Sequence, residues 1–191
     1  MSRTTPEMPP AGGRRRAVPA DPVCARCARE GESCCRLGSQ AEAACFPLSG
    51  PEIRRLEACL PPDFSRGLVR QEANSPLFLQ SLHRLFPHEP QRVEELFPAG
   101  RTHPGLALDS AGACPLLGPQ GCLLPDQGRP WYCRLFPFWV IGRGLRCFAR
   151  QDCLAVRENP GPAALMRAFR ISRGEILELY ASLRRDWGFE S

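Results

Sequence analysis

The sequence predicts a small single α+β domain, in which short helices surround a small antiparallel sheet. Apolar residues recur at helical spacing between about residues 49 and 97 and again near the C-terminus. Between these regions, short apolar runs are broken by Gly and Pro. The chain has 191 residues, of which 43% are hydrophobic and 24% are charged, enough apolar side chain for one buried core.

Composition divides the chain into three segments. Residues 1–22 are rich in Pro, Gly and Arg and have no periodic apolar pattern, which predicts a disordered tail. Residues 23–158 contain every cysteine and are interpreted as a cysteine-cluster metal-binding domain. Residues 159–191 are interpreted as a C-terminal helical segment packed on that domain.

Nothing in the sequence predicts a membrane span or an export signal. No apolar run approaches the roughly 18 residues of a transmembrane helix. Arg14, Arg15 and Arg16 are not followed by the apolar region that a secretory signal needs. We therefore expect a cytoplasmic protein that does not associate with a membrane.

Three short helices are predicted in the first half of the domain. Ser49 and Glu52 have the spacing of a capping box, and Pro51 is tolerated in a first helical turn. A second helix is predicted to begin at Ser75 in SPLFLQSLHRLFP, and PQRVEELF predicts a third. Each ends at a proline, which cannot continue a helix.

Small strands and tight turns are predicted after His103. GLALDSAGACPLLG and GCLLPDQGRPWYCRLFPFWVIGRGLRCFAR are short apolar runs interrupted by Gly and Pro. PFWVIGRGLRCFA is typical of a hairpin that turns at residues 142–144. In the last segment, a helix face directed at the core is predicted by Ile176, Leu179, Tyr180 and Leu183.

The charge pattern argues against nucleic-acid binding. The net charge is +5, and every Lys or Arg position is Arg. The arginines are spread along the chain among acidic residues, whereas a nucleic-acid surface gathers them on one face with aromatic residues. A protein partner cannot be named from this pattern.

Eleven cysteines provide the functional signal. Their odd number and the predicted reducing compartment argue against a disulfide framework and favour metal binding or redox chemistry. CARCAREGESCC contains four of them, and its C-x-x-C pair, Cys24 and Cys27, can direct two thiols at one ion. A redox C-x-x-C follows a strand and opens a helix. Here the pair follows the Pro-rich tail and leads into a predicted loop at Gly31, so metal binding is favoured.

The other cysteines leave several arrangements open. Cys34 and Cys35 are neighbours with diverging side chains, so they could serve two nearby centres, or one could ligate while the other packs; a vicinal disulfide is the third alternative. A scattered group lies beside later turn signals: Cys114, Cys122, Cys133 and Cys153. The competing interpretation is that some of these are small buried residues. Cys45 and Cys59 are interpreted as packing residues.

These motifs resemble a family of cysteine-cluster domains described as zinc- or iron-chelating and often as containing an iron–sulfur cluster. The resemblance covers roughly residues 24–155 and rests on C-x-x-C, the vicinal pair, C-P-x-L, RPWYCRLFP and a late cysteine. It implies that metal is held by Cys24, Cys27, Cys34, Cys35, Cys114, Cys122, Cys133 and Cys153. The spacer from Ala28 to Ser33 is longer than is common in the family, so one shared centre and two centres both stay open. Cys153 is favoured over Cys147 as the last ligand, because Cys147 falls inside a predicted strand.

Thiolate ligands suit an iron–sulfur cluster or Zn²⁺. The scattered thiols favour the cluster slightly, whereas the C-x-x-C pair favours zinc. Arg129 and Arg134 are predicted to offset the thiolate charge, Arg134 being favoured because it follows Cys133; the alternative is solvated surface charge. The histidines His83, His88 and His103 are predicted not to ligate. An apolar shell around the centre is predicted from Trp131, Tyr132, Phe136, Phe138 and Trp139.

Three function classes follow from a cysteine-ligated metal. The first is a metal-binding protein with a structural or electron-transfer role. The second is a cluster-dependent enzyme that modifies a protein or peptide, and the third is a metal carrier or storage protein. The sequence contains no Gly-rich nucleotide loop, Ser-His-Asp signature or H-E-x-x-H motif that would identify a reaction.

Overall fold

The computed structural model describes residues 22–30, 33–37, 46–149 and 153–190. The tail predicted over residues 1–22 lies outside the described residues except for Pro22, and Cys45 lies outside them too. Within the described ranges, no helix is long and apolar enough to cross a membrane.

Helices and short strands alternate along the described chain. The helices are α1 (Val23–Glu30), α2 (Gly50–Ala58), α3 (Pro62–Ser65), α4 (Pro76–Leu85), α5 (Pro90–Leu96), α6 (Trp131–Leu135), α7 (Leu154–Glu158), α8 (Pro162–Phe169) and α9 (Arg173–Trp187). The strands are β1 (Val69–Ala73), β2 (Thr102–Leu106), β3 (Leu117–Gly118), β4 (Gly121–Cys122), β5 (Phe138–Ile141) and β6 (Gly144–Cys147). The α+β prediction is confirmed.

The strands form separate antiparallel pairs rather than one small sheet. β1 pairs with β2, β3 with β4 and β5 with β6. The β5–β6 hairpin turns at Gly142, whose φ of 58° suits glycine, and pairs Phe138 with Cys147 at its open end. The predicted hairpin is therefore confirmed, while β1 was not predicted.

Local capping signals explain where the predicted helices begin. α2 has the full capping box: the Ser49 side chain accepts from the backbone of Glu52, and the Glu52 side chain accepts from the backbone of Ser49. Ser75 caps α4 by accepting from the backbone N–H of Phe78. The C-terminal helical segment is divided at Arg170, whose φ of 53° ends α8 before Ser172 caps α9.

Two segments that the sequence predicts as loops or strands are helices. The C-x-x-C pair lies on α1, and the WYCRL stretch forms α6. Helices this short are marginal alone and depend on tertiary packing. α1 packs against β4 and α7, and α6 packs against α9. These contacts connect distant parts of the chain, so the local sequence pattern does not reveal them.

Two groups of buried side chains hold the elements together. The larger core contains residues of α4, α5, α9 and the β5–β6 hairpin, and Ile176 and Leu183 from the predicted face of α9 are fully buried in it. The smaller core consists of Leu56, Leu68, Leu116 and Leu124. Cys114 and Cys122 pack against the smaller core.

His103 is part of the fold rather than of a metal site. Only 4% of it is exposed, and its ring stacks on Phe78 with ring centroids 4.0 Å apart. The Asn74 side-chain N–H donates to the Pro98 carbonyl oxygen at 2.8 Å, so its Oδ1 faces His103 Nδ1, also at 2.8 Å. His103 therefore carries its proton on Nδ1 when neutral. Burial lowers its pKa, although Glu72, its cross-strand partner, opposes that shift.

We expect His103 to make the protein less stable in mild acid. Its pKa in the folded protein is below the unfolded value of about 6.5, so stability falls as the pH drops through that value, where the unfolded chain takes up the proton first. Urea unfolding between pH 7 and pH 5 should show a shallower loss for His103→Gln than for wild type. His83→Gln, at a half-exposed position, is the control that should follow wild type. Parallel wild-type and His103→Gln curves would contradict the assignment.

Candidate metal centre

Short backbone pairing places the vicinal cysteines beside Cys114. The Cys114 N–H donates to the Cys35 carbonyl oxygen at 2.8 Å, and the Leu37 N–H donates to the Gly112 carbonyl oxygen at 2.8 Å. Arg36 forms an antiparallel bridge with Ala113 between these bonds. The first cysteine cluster and the later loops are thus joined by main-chain hydrogen bonds.

α1 carries the C-x-x-C pair against the later cysteines. A Cβ added at Gly121 would lie 3.5 Å from the carbonyl carbon and oxygen of Cys24, an ordinary van der Waals contact, so α1 packs directly on the β3–β4 turn, where the φ of 98° at Gly121 suits glycine. Cys122 follows directly. α1 also packs against α7, which begins immediately after Cys153.

The eight cysteines predicted as ligands all line one cavity of about 1000 Å³. They are Cys24, Cys27, Cys34, Cys35, Cys114, Cys122, Cys133 and Cys153. Cys59 and Cys147 do not line it. Cys59 lies against Gly128, and Cys147 packs at the edge of the larger core. The eight cysteines chosen from the motifs are therefore the same eight that line this cavity, and they include Cys153 but not Cys147.

The thiols share the cavity wall instead of converging on one point. Cys27 and Cys153 are buried, whereas Cys24 and Cys133 are open to solvent through the cavity. In the parts of the chain that the structure describes, no group of three or more His, Cys, Asp or Glu side chains is arranged to hold a metal ion. A single ion held by three or more of these side chains would therefore require them to rearrange.

A hydrogen bond divides the vicinal pair into a donor and an acceptor. The Cys34 thiol bonds to the Cys35 sulfur, which raises the pKa of Cys34 well above its usual value. The same bond, assisted by the positive charges of Arg129 and Arg36, lowers the pKa of Cys35 to about 7 against the opposing effect of burial. Cys35 is thus the thiol of the pair that ionises first, and Arg36 is a contributor that sequence reasoning missed.

Burial raises the pKa values of three further cavity thiols. It raises the pKa of Cys24 to about 11, and it also raises the pKa values of Cys122 and Cys133. These three thiols are therefore protonated at neutral pH. Metal binding by these thiols would release protons.

Cys35 is an electrostatic neighbour of several other cavity thiols. Cys24 and Cys34 each interact with Cys35 and with Cys153. Cys133 interacts with Cys35, Cys114 and Cys122. Cys122 also interacts with Cys35. Cys35 is therefore within electrostatic reach of thiols from the N-terminal cluster and from the later loops.

Arg129 and Arg134 both line the cavity but have different contacts. The Arg129 guanidinium bonds to the Cys122 sulfur and lowers the pKa values of Cys24, Cys35 and Cys122. An ion pair with Asp126 at 3.0 Å holds the Arg129 side chain in place. The Arg134 guanidinium instead lies over the Trp131 ring, 4.9 Å from its centroid. Arg129 thus provides positive charge at the Cys122 sulfur, while Arg134 lies against Trp131.

The aromatic residues near the RPWYCRLFP motif separate into a cavity wall and a core. Trp131, Tyr132, Phe136 and Phe138 line the cavity. Trp139 does not: it is 1% exposed in the larger core, and its indole N–H donates to the Leu85 carbonyl oxygen at 2.9 Å. The prediction that Trp139 belongs to the shell of the site is therefore corrected. His83, His88 and His103 do not line the cavity.

Comparison of the chain with protein-family models, with curated proteins and with solved structures finds no match. The resemblance to the chelating-domain family therefore rests on the cysteine motifs alone.

Proposed function

We propose that this chain is a cysteine-ligated metal-binding protein with a structural or electron-transfer role, and that an iron–sulfur cluster is favoured over Zn²⁺. One observation carries the proposal: eight cysteines from four distant segments line a single cavity, while Cys59 and Cys147 lie outside it. If the cysteines were only small packing residues, we would not expect eight of them to lie on the wall of one cavity.

The donor set suits a thiophilic metal. A tetrahedral zinc ion takes four ligands, so eight thiols on one cavity wall offer enough donors for two ions or for a multinuclear cluster. Cys35 lies within electrostatic reach of thiols from the N-terminal cluster and from the later loops, which supports a centre, or a pair of centres, that uses both. A bound cluster would supply one-electron chemistry, whereas bound zinc would cross-link the segments. Arg129 would offset part of the thiolate charge by its bond to sulfur.

Anaerobic purification followed by metal analysis tests the proposal. We expect a brown protein with broad visible absorption, several irons per chain and acid-labile sulfide. A colourless protein with one or two zinc ions would overturn the cluster and retain cysteine ligation. A purified chain that takes up neither metal under reducing conditions would overturn the proposal. Metal released to a chelator within minutes would favour the carrier or storage alternative over a structural site.

The shape of the cavity favours one second candidate, the cluster-dependent enzyme. Beyond the cysteines the cavity continues to Phe169, Ile171 and Leu179, beside Glu178. Its volume of about 1000 Å³ is that of a pocket for an organic ligand. Thermal-shift screening of the metal-loaded protein with peptides tests this candidate. Stabilisation that is lost in Leu179→Arg would support it, and the absence of any stabilising peptide would favour the structural or electron-transfer role.

A further inference from the structure

The Glu52 carboxylate is buried at the junction of three helices. It is 1% exposed and accepts four hydrogen bonds, a number that a buried carboxylate needs to compensate for lost hydration. Oε2 accepts from the Ser49 backbone N–H at 2.9 Å, the Ser49 hydroxyl at 2.8 Å and the Trp187 indole N–H at 2.9 Å. Oε1 accepts from the Trp131 backbone N–H at 2.7 Å.

The bond to Trp131 reaches the helix that carries Cys133. Trp131 is the first residue of α6, and its N–H is one of the donors that a helix leaves without an intrahelical partner. Pro130, which precedes the helix, provides no side-chain cap. The carboxylate of a distant helix, α2, therefore caps α6 from outside, two residues before Cys133.

A second carboxylate fixes the other end of the same tryptophan. Asp186 Oδ2 accepts from the Trp131 indole N–H at 2.7 Å and from Arg55 Nη1 at 3.2 Å. The Arg55 guanidinium also lies over the Trp131 ring, 4.1 Å from its centroid. The main chain and side chain of Trp131 are thus held by different acids, and the orientation of α6 is determined by α2 and α9 together.

We propose that Glu52 is a positioning residue of the cysteine cavity: by capping α6 it fixes the direction in which Cys133 presents its sulfur. The expected effect of Glu52 on metal affinity rests on the proposed metal-binding function, whereas the contacts of Glu52 with α6 do not depend on it. Glutamine at this position would keep the shape of the side chain. It would replace one acceptor oxygen by an N–H₂ group that faces donors, so at least one bond would be lost.

Glu52→Gln and a matched control test the proposal. Glu89 makes two bonds to Arg184, at 2.6 and 3.0 Å, outside the cavity wall, so Glu89→Gln is a carboxylate-to-amide change that weakens packing of α9 without touching α6. We expect Glu52→Gln to bind zinc about 10–100-fold more weakly in a chelator competition. Glu89→Gln should keep wild-type affinity. Wild-type affinity in folded Glu52→Gln, or equal weakening in both variants, would overturn the proposal.

Two further measurements test the role of Glu52 without relying on metal binding. Hydrogen exchange of the α6 backbone amides, measured by mass spectrometry after chelator treatment, needs no metal. It should be several-fold faster in Glu52→Gln than in wild type or Glu89→Gln, and equal exchange in folded Glu52→Gln would overturn the proposal. If wild type binds no metal, the proposed function fails, but this exchange result still decides the role of Glu52. If Glu52→Gln does not fold, the Trp131 amide of wild type should exchange its hydrogen slowly, and exchange at the rate of an exposed amide would overturn the proposal.

Discussion

Cys133→Ser should abolish most metal binding while leaving the fold able to form. Serine is close in size to cysteine but is a poor ligand for a thiophilic metal, so we expect metal affinity to fall by at least about 100-fold. With metal near saturation, a hundredfold loss of affinity corresponds to about 2.7 kcal/mol of unfolding free energy. Metal content per chain and chemical unfolding with and without metal measure the two effects.

Cys147→Ser is the matched control for this prediction. Cys147 lies in β6 and outside the cavity wall, so metal content should stay at the wild-type level. Cys153→Ser should behave like Cys133→Ser, because Cys153 lines the cavity. Full metal content in Cys133→Ser would contradict ligation by that thiol. Loss of metal in Cys147→Ser with retention in Cys153→Ser would reassign the last ligand.

Trp139→Ala should have the largest effect on stability among single substitutions near the RPWYCRLFP motif. Trp139 is fully buried, and its ring packs edge-on against Phe86 and Tyr180. Removing a buried aromatic side chain leaves a cavity, so we expect a loss of about 3–5 kcal/mol in the free energy of unfolding. Urea unfolding with an unchanged m value would establish that stability itself has fallen.

Two comparisons identify the cause of the Trp139 effect. Trp139→Phe keeps most of the apolar contact and loses the bond to the Leu85 carbonyl oxygen, so its loss should be smaller than that of Trp139→Ala. Leu177→Ala, at a residue 40% exposed on α9, should change stability by no more than about 0.5 kcal/mol. At temperatures where Trp139→Ala is folded, its metal content should match wild type. A loss below about 1 kcal/mol for Trp139→Ala would contradict its place in the core.

Local signals made much of the fold predictable. Ser49 with Glu52 and the serine before Pro76 mark helix starts through bonds that lie within four residues of one another. The hairpin at Gly142 is marked by glycines between two apolar runs. In each case the residues that determine the structure are sequence neighbours, so a pattern of residue types is sufficient.

The remaining elements depend on partners far along the chain. α6 is capped by Glu52, 79 positions away, and nothing in RPWYCRLFP indicates that partner. β1, with the sequence VRQEA, has a mostly polar and exposed pattern and becomes a strand because β2 pairs with it. The motifs selected the eight cysteines that line the cavity, but nothing in the motifs indicates the pairing of residues 35–37 with 112–114 that places Cys35 beside Cys114.

The hydrogen bond from the Cys114 N–H to the Cys35 carbonyl oxygen also has a consequence for biosynthesis. Because translation is vectorial, the N-terminal cysteines leave the ribosome before Cys114, Cys133 and Cys153 exist as partners. At about 5–20 residues per second, roughly 6–24 s separate the emergence of Cys35 from that of Cys153. During this interval the first four thiols are exposed to oxidants and to free metal ions without the cavity that encloses them in the finished protein. Assembly of the proposed metal centre should therefore be completed only after Cys153 has emerged from the ribosome.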